Sequence, residues 1–101
     1  MKECCRVHLT EQFGDAATVE AIYTMYVESI GEKLAEAKGA LADGDWGKLD
    51  AAAHTIKGNA LSAGDTPMAD VAIALRNASK LQDAGDSAKL IARIESLSAS
   101  L

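Results

Sequence analysis

AATVEAIYTMYVESIGEKLAEAKGALA, residues 16–42, places apolar side chains at Val19, Ile22, Tyr23, Tyr26, Val27, Ile30, Leu34, Ala37 and Leu41. Positions that recur at threes and fours line one face of a helix and fit no alternating strand. The run stops at Asp43-Gly44-Asp45, where Asp45 can cap a following helix by accepting from its free N–H groups. Outward from this segment the punctuation stays regular. A short segment over Lys2–Gln12 carries Val7 and Leu9 and, with Phe13, ends at Phe13-Gly14-Asp15. A third segment runs from Trp46 to Ala63 and stops at Gly64. Thr66-Pro67 reads as a cap followed by a first-turn proline, whose missing N–H costs nothing there. That fourth helix is expected to reach Asp83, with a break at Ala84-Gly85. Asp86 then caps a fifth, which continues through Leu90, Ile91, Ile94 and Leu97.

No strand pattern occurs. The expected fold is therefore all-α, an antiparallel four-helix bundle over residues 16–98 with an additional short N-terminal helix over 1–13 covering one end. The 101 residues suit one domain, and they leave no room for separate cofactor and substrate domains. Apolar residues make up 49% and aromatics only 4%, so alanine supplies much of the core and lets helices approach closely. That apolar share is enough to offset the ordering entropy of folding. There is no solenoid repeat and no low-complexity segment.

Ten basic against fifteen acidic residues give a formal charge of −5, the wrong sign for neutralising nucleic-acid phosphates or an anionic membrane surface. No apolar run approaches the roughly 20 residues of a spanning helix. The N-terminal MKECCRVHLTEQF has no signal-peptide core. Cys4 and Cys5 are adjacent, a poor geometry for a disulfide, and no third cysteine exists. These features point to a reducing, cytoplasmic location.

The third segment holds the chemistry. On a helical wheel Leu49, Ala53, Ile56 and Ala60 form the core stripe, and His54 lies roughly 200° from Ile56, on the solvent side. Asp50, Lys57 and Gly58 neighbour it one turn away, and Leu61 follows. An exposed imidazole is a nucleophile near neutral pH, and Lys57 offers a positive charge to an anion attached to it. Gly58 costs the helix about 1 kcal/mol relative to alanine. It either clears space beside the histidine or permits close helix packing. An apolar Leu61 on the same side suits a protein contact. A lone exposed histidine usually does nothing, whereas this constellation describes a phosphate acceptor on a docking surface.

Ala53-His54-Thr55-Ile56-Lys57-Gly58-Asn59-Ala60, with Gly64 six residues after Gly58, resembles the signature of histidine phosphotransfer (HPt) domains. The similarity extends to Phe13-Gly14-Asp15, Asp43-Gly44-Asp45-Trp46 and Asp83-Ala84-Gly85-Asp86, nearly the whole chain after Leu9. Asp65 departs from the small apolar residue, often alanine, that such domains more often carry there, and Asn59 replaces the commoner serine. The resemblance implies that His54 carries a phosphoryl group between receiver-domain aspartates, with Nε2 as the attacking nitrogen. It implies Lys57 as the cation beside that group, Gly58 as the opening for a partner and Gly64 as a helix end. The implied partners are response-regulator receiver domains and a hybrid sensor histidine kinase. Gly58, Leu61, Asp50, Arg76 and Lys80 are the candidate docking residues. Mg²⁺ would reside in the receiver, and no cofactor of its own is implied. The chain has no glycine-rich nucleotide loop, so it is expected to be a carrier without ATP-dependent kinase activity.

Other residues have plainer readings. Cys4, Cys5 and His8 lie close in sequence, but metal binding needs more ligands. A terminal helix with half-buried thiols, and no metal site, is preferred. Tyr23, Met25 and Tyr26 fill or skirt the core, and Trp46 plugs a bundle end. Arg76, Asn77 and Lys80 either border the His54 face or form a solvated one. Two alternatives stand beside the relay reading. One is a helical adaptor that binds a receiver without transfer. The other is the phospho-accepting domain of a chemotaxis-type kinase, which further domains would follow, whereas this sequence runs from Met1 to Leu101.

Overall fold

Five α-helices and no strands make up the protein in a computed structural model that describes residues 1–101. They are α1 (Glu3–Phe13), α2 (Ala16–Asp43), α3 (Trp46–Ala63), α4 (Thr66–Lys80) and α5 (Ala84–Ala99). The 28 residues of α2 span about 42 Å at the α-helical rise, which accounts for the 43 Å long axis of the molecule. Each long helix packs on its sequence neighbour, and α5 closes the ring against α2. Short joints make these neighbours antiparallel. Ile30, Leu49, Ile56, Leu75 and Ile94 fill the centre, and Ala37, Ala53, Ala60 and Ala72 are buried between helix backbones.

A two-residue device, glycine then aspartate, makes three of the four joints. Gly44 and Gly64 take the left-handed conformation, and their N–H groups cap the carbonyls of the helix they end. The following aspartate turns its carboxylate onto the N–H three residues on, from Asp15 to Thr18, Asp45 to Lys48 and Asp65 to Met68. Each such cap contributes about 1 kcal/mol. The fourth joint substitutes Gln82, at φ +54°, for the glycine, and Asp83 accepts from the Asp86 N–H at 3.0 Å.

This device moves several expected boundaries. The cap of α4 is Asp65 rather than Thr66, so Thr66 and Pro67 both belong to the first turn. That helix stops at Lys80 instead of Asp83. Asp83, not Asp86, caps α5, and Ala84-Gly85 is helical rather than a break. In both places an aspartate with a donor three residues ahead outcompetes the threonine or the later aspartate. Within α1 the buried pair is Cys5 and Leu9, one turn apart, while Val7 and Phe13 are exposed. Cys5 is fully buried and Cys4 exposed, so the thiols are not equivalent.

Asp65 does more than cap. It is fully buried, yet its carboxylate accepts from the Lys2 ammonium at 2.7 Å and the Tyr26 hydroxyl at 2.6 Å. Beside it the Lys2 N–H donates to Tyr23 Oη, and that hydroxyl donates to the Leu101 carbonyl. Asp65 thus ties the start of α1 to α2 and to the α3–α4 joint, and Tyr23 adds the chain's last residue. Burial, reinforced by the bond to Asp65, pushes the Tyr26 phenol well above its ordinary range. Burial likewise pushes the Cys5 thiol up to about 12, with the Asp65 charge adding to it. Partial burial opposes the Lys2 charge, but its hydrogen bond and attraction to Asp65 prevail and raise its pKa. Gly64 is required twice over: its φ is +76°, and a side chain there would run into His8 of α1.

Candidate functional site

His54 sits mid-way along α3, nine residues from Asp45 and ten from Gly64, where the helix is held at both ends by capped joints. Leu49, Ala53, Ile56 and Ala60 are buried as the wheel requires, with Ala52 and Ala63 widening the stripe. His54 is exposed on the opposite side.

Its ring is held from α4. Arg76 Nη1 lies 3.0 Å from His54 Nδ1, while Arg76 Nε and Nη2 donate to the Asp50 carboxylate at 3.1 and 3.4 Å. A guanidinium can only donate, so Nδ1 must accept with its lone pair, and a neutral ring carries its proton on Nε2. Nε2 makes no protein hydrogen bond and faces solvent. The bond from Arg76 lowers the Asp50 pKa, with the nearby Arg76 and Lys80 charges helping. Asp50 stands one turn before His54 on α3, so the arginine is locked between two residues of a single helix face.

Asp50 and Arg76 therefore do meet His54, as a bridge from α4 to α3. Lys57 is half-buried and forms no ion pair or hydrogen bond. Lys80 is exposed and reaches this site only through its charge on Asp50, and Asn77 is exposed. At Gly58 an added Cβ would meet nothing within 4 Å, so helix packing does not require the glycine. Asn59 instead crosses to α2, donating to Ser29 Oγ at 2.5 Å. Trp46 is half-buried against the core at the start of α3, and its carbonyl accepts from Ser79 Oγ at 3.1 Å.

Beyond Gly58 the surface turns apolar. Leu61 is 55% exposed, and on the neighbouring elements Phe13 and Met25 are 51% and 68% exposed. An open groove of about 350 Å³ runs between α2 and α3, lined by Phe13, Ile22, Met25, Asn59 and Ser62 among others. Sequence reading assigned Met25 to the core or its edge. The signal against this was present for Met25: on the wheel it lies roughly 100° off Tyr26 and outside the stripe that the Ile22–Tyr26 pair defines.

The family model of the Hpt domain matches residues 21–100, about four-fifths of the chain. The chain belongs to the Hpt domain family. Hpt domains work in histidine phosphotransfer within phosphorelays, as phosphoryl carriers that generally lack kinase activity of their own. The helical bundle agrees with this membership. The matched residues begin inside α2, so α1 and Lys2 precede them while Asp65, to which Lys2 is tied, lies within them. No curated protein and no solved structure matches the chain. No helix of this Hpt domain is long and apolar enough to cross a membrane.

Proposed function

We propose that His54 accepts a phosphoryl group on Nε2 from the aspartyl phosphate of a response-regulator receiver domain and passes it to another receiver. A hybrid sensor histidine kinase would stand upstream. The observation that carries this reading is the exposed imidazole with one nitrogen pinned by Arg76 and the other open to solvent.

The geometry gives the steps an order. Attack through Nε2 needs a lone pair there, so the ring must first exchange its proton to Nδ1, and Arg76 must withdraw toward Asp50. The Nε2–P bond then forms as the aspartyl O–P bond breaks, and the receiver's carboxylate leaves as the anion. The ring, cationic at that instant, sheds the Nδ1 proton to water. The resulting neutral phosphohistidine has a lone pair on Nδ1, which is the acceptor Arg76 is placed to hold. Arg76 is thus a positioning residue that favours the phosphorylated ring. It opposes the Nδ1 proton that would make imidazole a good leaving group.

Lys57 lies one turn along the same face and supplies positive charge to the phosphoryl oxygens. Mg²⁺ and the remaining catalytic groups would come from the receiver. Gly58 leaves the surface open for its approach, and Leu61 with the Phe13–Met25 groove offers the apolar contact. Asp50, Arg76 and Lys80 border it with charge.

The deciding experiment is transfer from a phosphorylated receiver with Mg²⁺, comparing this chain with H54Q. An acid-labile, alkali-stable phosphate on the wild type alone is the expected result. Equal labelling of H54Q would overturn the assignment. Lys57→Ala should slow transfer while receiver binding persists, and unchanged rates at low and high salt would remove Lys57 from the mechanism.

A further inference from the structure

The end of the molecule remote from His54 collects a second set of reactive groups. Sequence alone offered two adjacent thiols with His8 one turn on from Cys4, and lacked a further ligand from elsewhere in the chain. The fold supplies that ligand. Cys4 Sγ, Cys5 Sγ and a carboxylate oxygen of Asp65 all lie within 4.8 Å of one another. Asp65 comes from the α3–α4 joint, some 60 positions along the chain, and is buried at the foot of α1.

Two sulfurs and one oxygen around a tetrahedral zinc ion stand on the order of 3.5–4 Å apart, given metal–ligand distances of about 2.0–2.3 Å. The three atoms here need to close by no more than about 1.3 Å to reach that spacing. Both thiols belong to one turn of α1, so the closure is a matter of rotamers rather than of backbone.

The site already holds a positive charge. Lys2 places its ammonium 2.7 Å from Asp65 Oδ1, and its side chain is 22% exposed. A long, partly exposed side chain can swing into water and leave that place to a metal ion. Tyr26 keeps its bond to the other carboxylate oxygen, so the ligand stays oriented when the ammonium leaves. Such an outer partner is what fixes a ligating carboxylate.

We infer that Cys4, Cys5 and Asp65 form a site for a thiophilic divalent cation of the zinc class, with the Lys2 ammonium as its internal competitor. Binding replaces two S–H bonds by two metal–thiolate bonds and releases two protons to solvent. Asp65 exchanges its ion pair for a metal–oxygen bond, and water takes the fourth position on the exposed side of Cys4. The ion would clamp α1 onto the α3–α4 joint, ten residues and about 15 Å along α3 from His54. It would raise stability without entering the phosphoryl chemistry.

The test uses the full reduced chain, titrated with Co²⁺ as a spectroscopic probe and then competed with Zn²⁺. Expected are one ion per chain, a thiolate-to-cobalt charge-transfer band, about two protons released and a higher melting temperature. Cys5→Ser should abolish the band, and Asp65→Asn should weaken binding by more than about tenfold. Asp65→Asn also loosens the fold and Lys2→Met strands the Asp65 charge, so both are titrated well below their melting temperatures; Lys2→Met is the sharper variant because its expected change has the opposite sign. It removes the competitor, so it should tighten binding several-fold. Affinity unchanged in Lys2→Met would overturn the site, as would one ion shared by two chains or a band that survives in Cys5→Ser.

Discussion

The molecule contains two acid–base knots of similar parts and opposite character. Near the middle of α3, Asp50 holds Arg76, and Arg76 holds His54, all at least partly exposed. At the foot of α1, Asp65 holds Lys2 and Tyr26, with the carboxylate wholly buried. Each links neighbouring helices through a carboxylate and a cation. In the first, water competes for every partner, so the pair contributes little to stability and the histidine stays free to react. In the second, the carboxylate is sealed from water and only the Lys2 end is partly exposed, so taking a partner from Asp65 strands a buried charge. The same chemistry is thus reactive where it is wet and structural where it is dry.

The largest contrast should come from removing one residue at each knot. His54→Gln is expected to lose all phosphate acceptance with an unchanged melting temperature. Asp65→Ala should cost about 3 kcal/mol, from the broken buried pair and the lost cap, while phosphorylation at a permissive temperature continues. Thermal melts and transfer assays on the two variants separate the regions. If Asp65→Ala melted like the wild type, the buried knot would be no anchor.

Arg76→Ala tests whether the exposed knot acts on chemistry instead of fold. Its stability should fall by less than about 1 kcal/mol. The phosphohistidine should hydrolyse faster at neutral pH, by roughly tenfold, as expected if about 1.4 kcal/mol of opposition to Nδ1 protonation is lost. A lifetime equal to that of the wild type would leave Arg76 only a surface role.

The two regions should also respond to opposite ends of the pH scale. Cys5 ionises at about 12 in the folded chain against 9.0 for a free thiol, so its contribution is complete below pH 9 and fades as pH rises toward 12. Tyr26 and Lys2, both raised, act in the same direction. Asp50 is lowered, so its smaller contribution is present above the usual carboxylate range and lost only as pH falls below it. Denaturation midpoints followed by circular dichroism should drop on the alkaline side, and less so in Cys5→Ser. An equal alkaline loss in that variant would assign the effect to other groups.

The smallest effect is expected at Gly58. Gly58→Ala should stabilise α3 by about 1 kcal/mol, because the site is an open helix position with room for a Cβ. Gly58→Phe should fold equally well and weaken receiver binding, which calorimetry with a receiver domain would show.

Much of this was legible beforehand because helices are local. Spacing at threes and fours selected α2 and α3, and the wheel put Ile56 inside and His54 outside with no knowledge of their neighbours. The Ala53–Ala60 run pointed to a phosphate-accepting helix face. Boundaries were less secure where two capping residues stood close together, as at Asp65-Thr66 and at Asp83 and Asp86. There the outcome depended on which carboxylate reached an N–H three residues ahead. What the sequence determined by itself is the set of elements, their inward faces and the histidine surface, since each follows from neighbours within about one helical turn. Only the tertiary structure decided that Arg76 crosses from α4 to His54, that Asp65 anchors Lys2 and Tyr26, and that it stands beside two thiols. Those contacts join residues 22 to 63 positions apart, and a chain reveals no such pairing until its helices have packed.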